Sequence, residues 1–316
     1  MVGILINALV PIFAIMGLGY FAGWIRDVDN HHVSELNALV MDFALPASLF
    51  VAMATTPSAV LLSQWPLFVT FLVSYLLLYA VSYAMQRSLF RLPSADAAIQ
   101  ALTIAFPNNA AAGLPLIASV FGPGNIVSVA MSIAVGSIFL SPLTLGILEA
   151  NRVAASGGKG AATVALAIGR SFRKPVVLAP IVGVIFSLGG IPLASFIVQS
   201  LQLIGQAAGG AALFVTGVIL SAQSILFSRN VISGAILKNL VHPLIGYALV
   251  LVLPMTHETA RAAVLLLALP SGFFGVLFGL RYGKDSREAG STLIVSSLAS
   301  IVTLAIALVL TAGWAR

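Results

Sequence analysis

The chain has 316 residues, of which 60% are hydrophobic and 8% charged, with a mean hydropathy of +1.09. A globular domain carries roughly 25% charged residues, and 15 Lys+Arg with 9 Asp+Glu cannot coat one of this size. A soluble enzyme, a nucleic-acid binder and a disordered chain are therefore excluded, the net charge of +6 is read as membrane topology, and the lack of cysteine excludes disulfides, thiolate metal sites and a Cys nucleophile.

One crossing takes about 20 apolar residues. Ten apolar stretches are predicted, at about 2–24, 33–55, 65–86, 96–120, 125–148, 171–189, 194–220, 230–253, 258–280 and 289–313. The first lacks a basic leader and is too long for a cleaved signal peptide. Connections are short except for the Gly/Ser-rich run Ala154–Gly160, so residues 151–170 are predicted to link two halves, 1–150 and 171–316, of five segments each. The fold class is thus an all-α integral membrane protein.

The basic residues then set orientation. Alternate connections hold Arg26; Arg87 and Arg91; Arg152, Lys159, Arg170, Arg173 and Lys174; Arg229; and Arg281, Lys284 and Arg287. The connections near 57–63, 121–124, 190–193 and 254–257 hold none. Because positive residues stay on the cytoplasmic side, the linker is expected in the cytoplasm and both termini outside it, as in a multi-pass protein of the inner membrane.

The halves resemble each other. At an offset of 164, Pro11 meets Pro175, Gly19 meets Gly183, and Leu49-Phe50-Val51 meets Leu213-Phe214-Val215. At 163, Leu102, Ala105, Pro107 and Leu114 meet Leu265, Ala268, Pro270 and Leu277. Five segments is an odd number, so the second half enters the membrane inverted. Inverted repeats with interrupted helices at matching positions characterise secondary transporters.

Pro107 and Pro270 fall near the middle of segments four and nine. Proline removes a donor and clashes with the preceding turn, and the freed backbone groups must face protein or a water-filled cavity. A simple kink is one reading of either proline alone. As a pair, flanked by Asn108, Asn109 and Gly113 on one side and Ser271 and Gly272 on the other, they predict a substrate site in which half-helix N-termini and amide donors receive a carboxylate.

Three ionisable residues well inside segments stand out. Asp42, one turn before Pro46, reads as a proton or sodium site or as a structural pair. Lys238 reads as functional or as snorkelling, and His242 as a carbonyl-bonded neutral imidazole or as a proton relay. Ser132, Ser137 and Ser141 could line a cavity or serve as interhelical contacts. No resident cofactor or metal is expected.

Pro107-Asn108, Gly113-Leu114-Pro115-Leu116 and Phe121-Gly122 resemble the fourth-helix motif of the auxin efflux carrier family, which includes plant PIN-FORMED carriers and bacterial malonate and malate permeases. Ala268-Leu269-Pro270 with Gly272, Phe278 and Tyr282 resembles its ninth helix. Asn37, Phe43-Ala44, Pro46 and Phe50 resemble its second, and Lys238, Leu240-Val241 and Pro243 its eighth. The resemblance implies ten transmembrane helices in two inverted repeats of five, with broken helices four and nine crossing at their prolines. It further implies a scaffold of helices 1, 2, 6 and 7, a moving part of helices 3–5 and 8–10, elevator-type transport of organic anions, and a homodimer. The long central loop of the plant carriers is missing here, which favours a bacterial permease-like substrate over auxin.

The function expected is secondary transport of a small mono- or dicarboxylate such as malonate or malate, with Pro107, Asn108, Asn109, Gly113, Pro270, Ser271, Gly272 and Pro46 at the substrate and Asp42, Lys238 and His242 in coupling to H+ or Na+. An exporter of an auxin-like indole carboxylate is the alternative. A channel would want polar rings on several helices, and an intramembrane enzyme would want clustered catalytic groups; neither pattern occurs.

Overall fold

A computed structural model describes residues 2–28, 33–122, 126–155, 169, 173–222, 225–284 and 287–315. Among them every regular element is helical. In chain order these are α1 (Val2–Trp24), α2 (Val33–Ala54), α3 (Trp65–Ser88), α4 (Ser94–Ala105), α5 (109–121), α6 (Val127–Ala155), α7 (Pro175–Leu188), α8 (Ser195–Ser221), α9 (Arg229–Val252), α10 (His257–Leu267), α11 (Phe274–Arg281) and α12 (Arg287–Ala312). Six of them, α2, α3, α6, α8, α9 and α12, are long and apolar enough by themselves to cross a membrane.

The helices fall on the predicted apolar stretches, and the differences have local causes. α6 runs seven residues past its predicted end because Glu149 and Asn151, polar residues expected to lie in a connection, find partners on the helix and its neighbours. α7 begins at Pro175, where the missing N–H is harmless at the first helical position. Of the predicted linker, residues 151–155 are helical, while 156–168 and 170, including Lys159 and Arg170, lie outside the described residues.

Four prolines widen their helices without breaking them. Pro46, Pro115, Pro142 and Pro243 each follow a π-helical turn, Leu39–Ala44, Asn109–Gly113, Gly136–Leu140 and Leu237–Val241. At Pro46, Pro142 and Pro243 the ring cannot accommodate the carbonyl four residues back, so the turn opens to the next spacing. Leu45, Ser141 and His242 accordingly bond Val40, Gly136 and Leu237, five residues earlier. The wide turns carry Asp42, Asn109, Ser137, Lys238 and Asn239.

Packing sorts the helices by composition. α4 buries every residue from Ala97 to Ala105, its polar members Gln100 and Thr103 bonded to Thr292 and Ile99 O, and α10 every residue from Ala262 to Leu267. α1, α3 and α12 expose Leu18, Phe21, Leu77, Val302 and Leu310; such a surface suits acyl chains rather than water. The closest pairings are α1 with α8 and α2 with α7. In the first, Gly19 lies on the backbone of Phe214; in the second, Gly183 lies on the backbone of Phe50, and a Cβ at either glycine would overlap a carbonyl.

Candidate functional site

The chain breaks at two places deep in the helical mass. α4 ends at Ala105, and Phe106 turns extended (φ −101°, ψ 107°), as the residue before a proline prefers. α10 ends at Leu267, and α11 resumes only at Phe274. The two extended pieces meet in an isolated antiparallel bridge between Pro107 and Ser271. Asn108 N donates to Pro270 O at 2.9 Å and Gly272 N to Phe106 O at 2.8 Å. Backbone groups released by each break are thus partly satisfied by the other, which is what permits non-helical chain this far from water.

Around this bridge the side chains fall into two classes. Asn109 is fully buried; its Nδ2 lies 3.0 Å from Tyr75 Oη and 2.5 Å from Ser132 Oγ, themselves 2.5 Å apart. Ser271 N donates to Ser296 Oγ at 2.9 Å, and Ser296 in turn donates to Asn239 Oδ1. These groups are tied to one another. Asn108 is 1% exposed, and neither of its amide atoms has a partner among the described residues. Asn109 Oδ1, Ser271 Oγ, Ser137 Oγ and Ser297 Oγ are likewise buried and unpartnered. Each such group costs about 1–3 kcal/mol, far more than an apolar side chain at the same place. A proline kink needs none of them.

Lys238 and His242 lie one turn apart on α9, both fully buried. Lys238 Nζ is 2.7 Å from Leu267 O and 2.8 Å from His242 Nδ1. The lysine therefore caps the C-terminal end of α10, where the broken helix leaves partial negative charge. The snorkelling expected as one reading of Lys238 does not occur. The His242 ring stands 5.6 Å from that of Tyr75, and its Nε2 has no partner.

The remaining predicted residues lie elsewhere. Gly113 sits one turn along α5, against Val129 and Leu266. Pro46 is buried at the wide turn of α2. Asp42 Oδ1 pairs with Arg281 Nη1 at 2.7 Å, the two side chains 24% and 31% exposed. Nearby, Glu149 accepts a 2.6 Å hydrogen bond from Tyr282 and lies 3.4 Å from Arg152 and 3.6 Å from Lys174. Burial raises the Tyr282 phenol above its ordinary value, the Glu149 hydrogen bond acting in the same direction, so it stays a donor. No cluster of metal-ligating groups occurs among the described residues.

The sequence signals did not include Tyr75 or Asn239. The signals that could have found them were present: Tyr75 lies in a stripe with Thr70, Ser74, Tyr79, Ser82 and Gln86 at helical spacing, and Asn239 adjoins Lys238. Tyr75→Phe, which removes one member of the Asn109–Ser132 network, is expected to lower stability by about 1 kcal/mol, measured by thermal denaturation in detergent.

The model for the family described as "Membrane transport protein" matches residues 4–308. The chain belongs to that family, the auxin efflux carriers. It is 28% identical over 300 residues to a protein of Escherichia coli (strain K12) named "Uncharacterized transporter YfdV", covering 94% of this chain and 95% of that one. It is 27% identical over 301 residues to a "Putative malonate transporter" of Rhizobium meliloti (strain 1021), covering 94% of this chain and 92% of that one. The chain is therefore a multi-pass membrane transporter, and its family is one of transporters rather than enzymes.

Proposed function

We propose that this transporter is a secondary carrier of a small organic anion, with malonate or malate as the substrate class, and that the anion binds at the Pro107–Ser271 bridge. The observation that carries the proposal is the set of buried, unpartnered polar atoms of Asn108, Asn109 and Ser271 gathered where two helices break. An anion there would accept from the Asn108 amide and the Ser271 hydroxyl and face the N-terminal ends of α5 and α11, where amide N–H groups lack helical partners. Lys238, whose Nζ lies on Leu267 O at the end of α10, adds a further donor beside the break. The malonate-related relative agrees with this class.

The inverted repeat of five helices is part of the same proposal, and one offset supports it. Gly19 rests on Phe214 and Gly183 on Phe50; adding 164 to the first glycine and to Phe50 gives the second glycine and Phe214. The same offset exchanges the bonds Asn108 N to Pro270 O and Gly272 N to Phe106 O. The proline pair itself matches at 163, one residue away, so the local twofold runs through Pro107 and Ser271 and not through the two prolines. In this reading α4–α5 and α10–α11 are single crossings broken at mid-depth, residues 1–150 and 171–316 are the repeats, and both termini lie outside the cytoplasm. Helices α1, α2, α7 and α8 form the static scaffold, and the rest move as an elevator.

The test is a thermal-shift titration of purified protein with malonate and malate, with and without sodium, followed by counterflow in proteoliposomes. Ligand at about 100 times Kd should add roughly 2.7 kcal/mol of stability, and dimethyl malonate, which lacks the charges, should add none. Stabilisation by no small carboxylate would overturn the substrate class. Flux without counterflow would indicate a channel.

A further inference from the structure

The scaffold and moving groups of helices, in the sense proposed above, are joined very differently at their two ends. A cavity of about 560 Å³ opens between them at one end, with Ser48, Ala52, Thr56 and Gln206 of the scaffold on one wall and Ala111 and Ala130 of the moving group on the other. At the opposite end the two groups are tied. Asp42 of α2 pairs with Arg281 of α11, Asn37 Nδ2 of α2 donates to Leu277 O of α11 at 3.1 Å, and Lys174 at the start of α7 reaches Glu149 of α6. The ends are well separated: Asp42 and Thr55 are thirteen residues apart on one helix, about 20 Å. α7 repeats the measure, since Lys174 precedes it while Ser187, near its far end, donates to Thr56 O.

We infer that Asp42–Arg281 and the Glu149–Lys174–Tyr282 cluster are the gate that holds this carrier shut at one end while the cavity stands open at the other. The inference rests on the two-group reading above but not on the identity of the substrate. Arg281 and Tyr282 are adjacent, and each engages a different partner, so the C-terminal end of α11 is clamped from two sides. Lys174 Nζ also lies 5.9 Å from the centre of the Tyr282 ring, so scaffold and moving group share that residue. The strengths of the two ties differ. Asp42 and Arg281 are partly exposed, where an ion pair is weak. Glu149 is 3% exposed and is held in place by Arg152 and Tyr282 of its own group, and Lys174 at 3.6 Å joins it across to the scaffold, so this tie sets a buried carboxylate against a single cation. For the cavity end to close and the other to open, Glu149 must part from Lys174 and Asp42 from Arg281. On the topology argued from the basic residues, this gate is cytoplasmic.

The chain contains no cysteine, so a single Ala52→Cys reports the cavity through its rate of reaction with a membrane-impermeant maleimide. Adding Asp42→Asn with Glu149→Gln should lower that rate about threefold or more, because the population shifts toward the state with the cavity closed. Arg281→Gln, a milder change, should lower it less. Rates equal to the parent in both variants, with both eluting as folded protein, would overturn the gate. An independent arm ties Asp42→Cys to Arg281→Cys with a bifunctional maleimide in proteoliposomes. Malonate uptake should fall about tenfold relative to protein capped with a monofunctional maleimide, and equal uptake would overturn the gate. If malonate neither binds nor moves in the parent, the substrate proposal fails, and the labelling rates still decide the gate.

Discussion

Gly272→Ala is expected to lower stability by about 3–5 kcal/mol and to remove carboxylate binding with it. A Cβ at this position would overlap Phe106 O and come within 3.1 Å of Pro107 O and 3.3 Å of Pro107 C. All three are backbone atoms, so no rotamer change relieves the contact. The two extended pieces must separate, and the bonds Asn108 N to Pro270 O and Gly272 N to Phe106 O open where no water replaces them. In detergent the melting temperature should fall by roughly 10 °C. Gly17→Ala is the control: a Cβ there meets nothing within 4 Å, and a helical Gly→Ala change is neutral or favourable by up to about 1 kcal/mol. Equal melting temperatures for the two variants would show that the bridge is not a tight backbone junction.

The second large effect separates binding from folding. Asn108→Ala removes an amide that bonds to nothing else among the described residues, so it should leave the melting temperature unchanged or raised. Binding of malonate, measured by calorimetry, should weaken about 10–100-fold through loss of a charge-assisted hydrogen bond. Asn109→Ala behaves in the opposite order. It breaks contacts to Tyr75 and Ser132 and should cost about 1–3 kcal/mol of stability. The adjacent asparagines are therefore expected to divide the work: one holds the α5 turn to α3 and α6, the other is free for substrate. Malonate affinity in Asn108→Ala equal to that of the parent would remove the bridge as the anion site.

The ties at the closed end bear on Asp42. Its position before Pro46 suggests a buried coupling acid, and the proline does shape the turn that carries it. What that turn presents, however, is a carboxylate paired with Arg281 across 239 residues of sequence. In the gate inferred above, a residue in that situation acts on which state is populated.

Much of this was legible in the chain itself. Apolar runs of membrane length mark where helices lie, since a chain in hydrocarbon must satisfy its backbone groups internally, and the wide turns and breaks fall at prolines, although Pro11 and Pro180 sit inside helices without either. Gly19 and Gly183 could be singled out with the Leu-Phe-Val triplets, and each proves to lie on a partner helix's backbone, since close backbone approach restricts which residue fits. Three things needed the tertiary structure. Tyr75 meets Ser132, and Asn239 meets Ser296, only when helices far apart in sequence pack together, and no local pattern encodes either pair. Which of Asn108 and Asn109 is bonded depends on which neighbour each side chain meets. That Asp42 and Glu149 close one end while a cavity opens the other is a relation between two groups of helices, and a relation of that kind is set by packing over long sequence separations, not by the residues at either position.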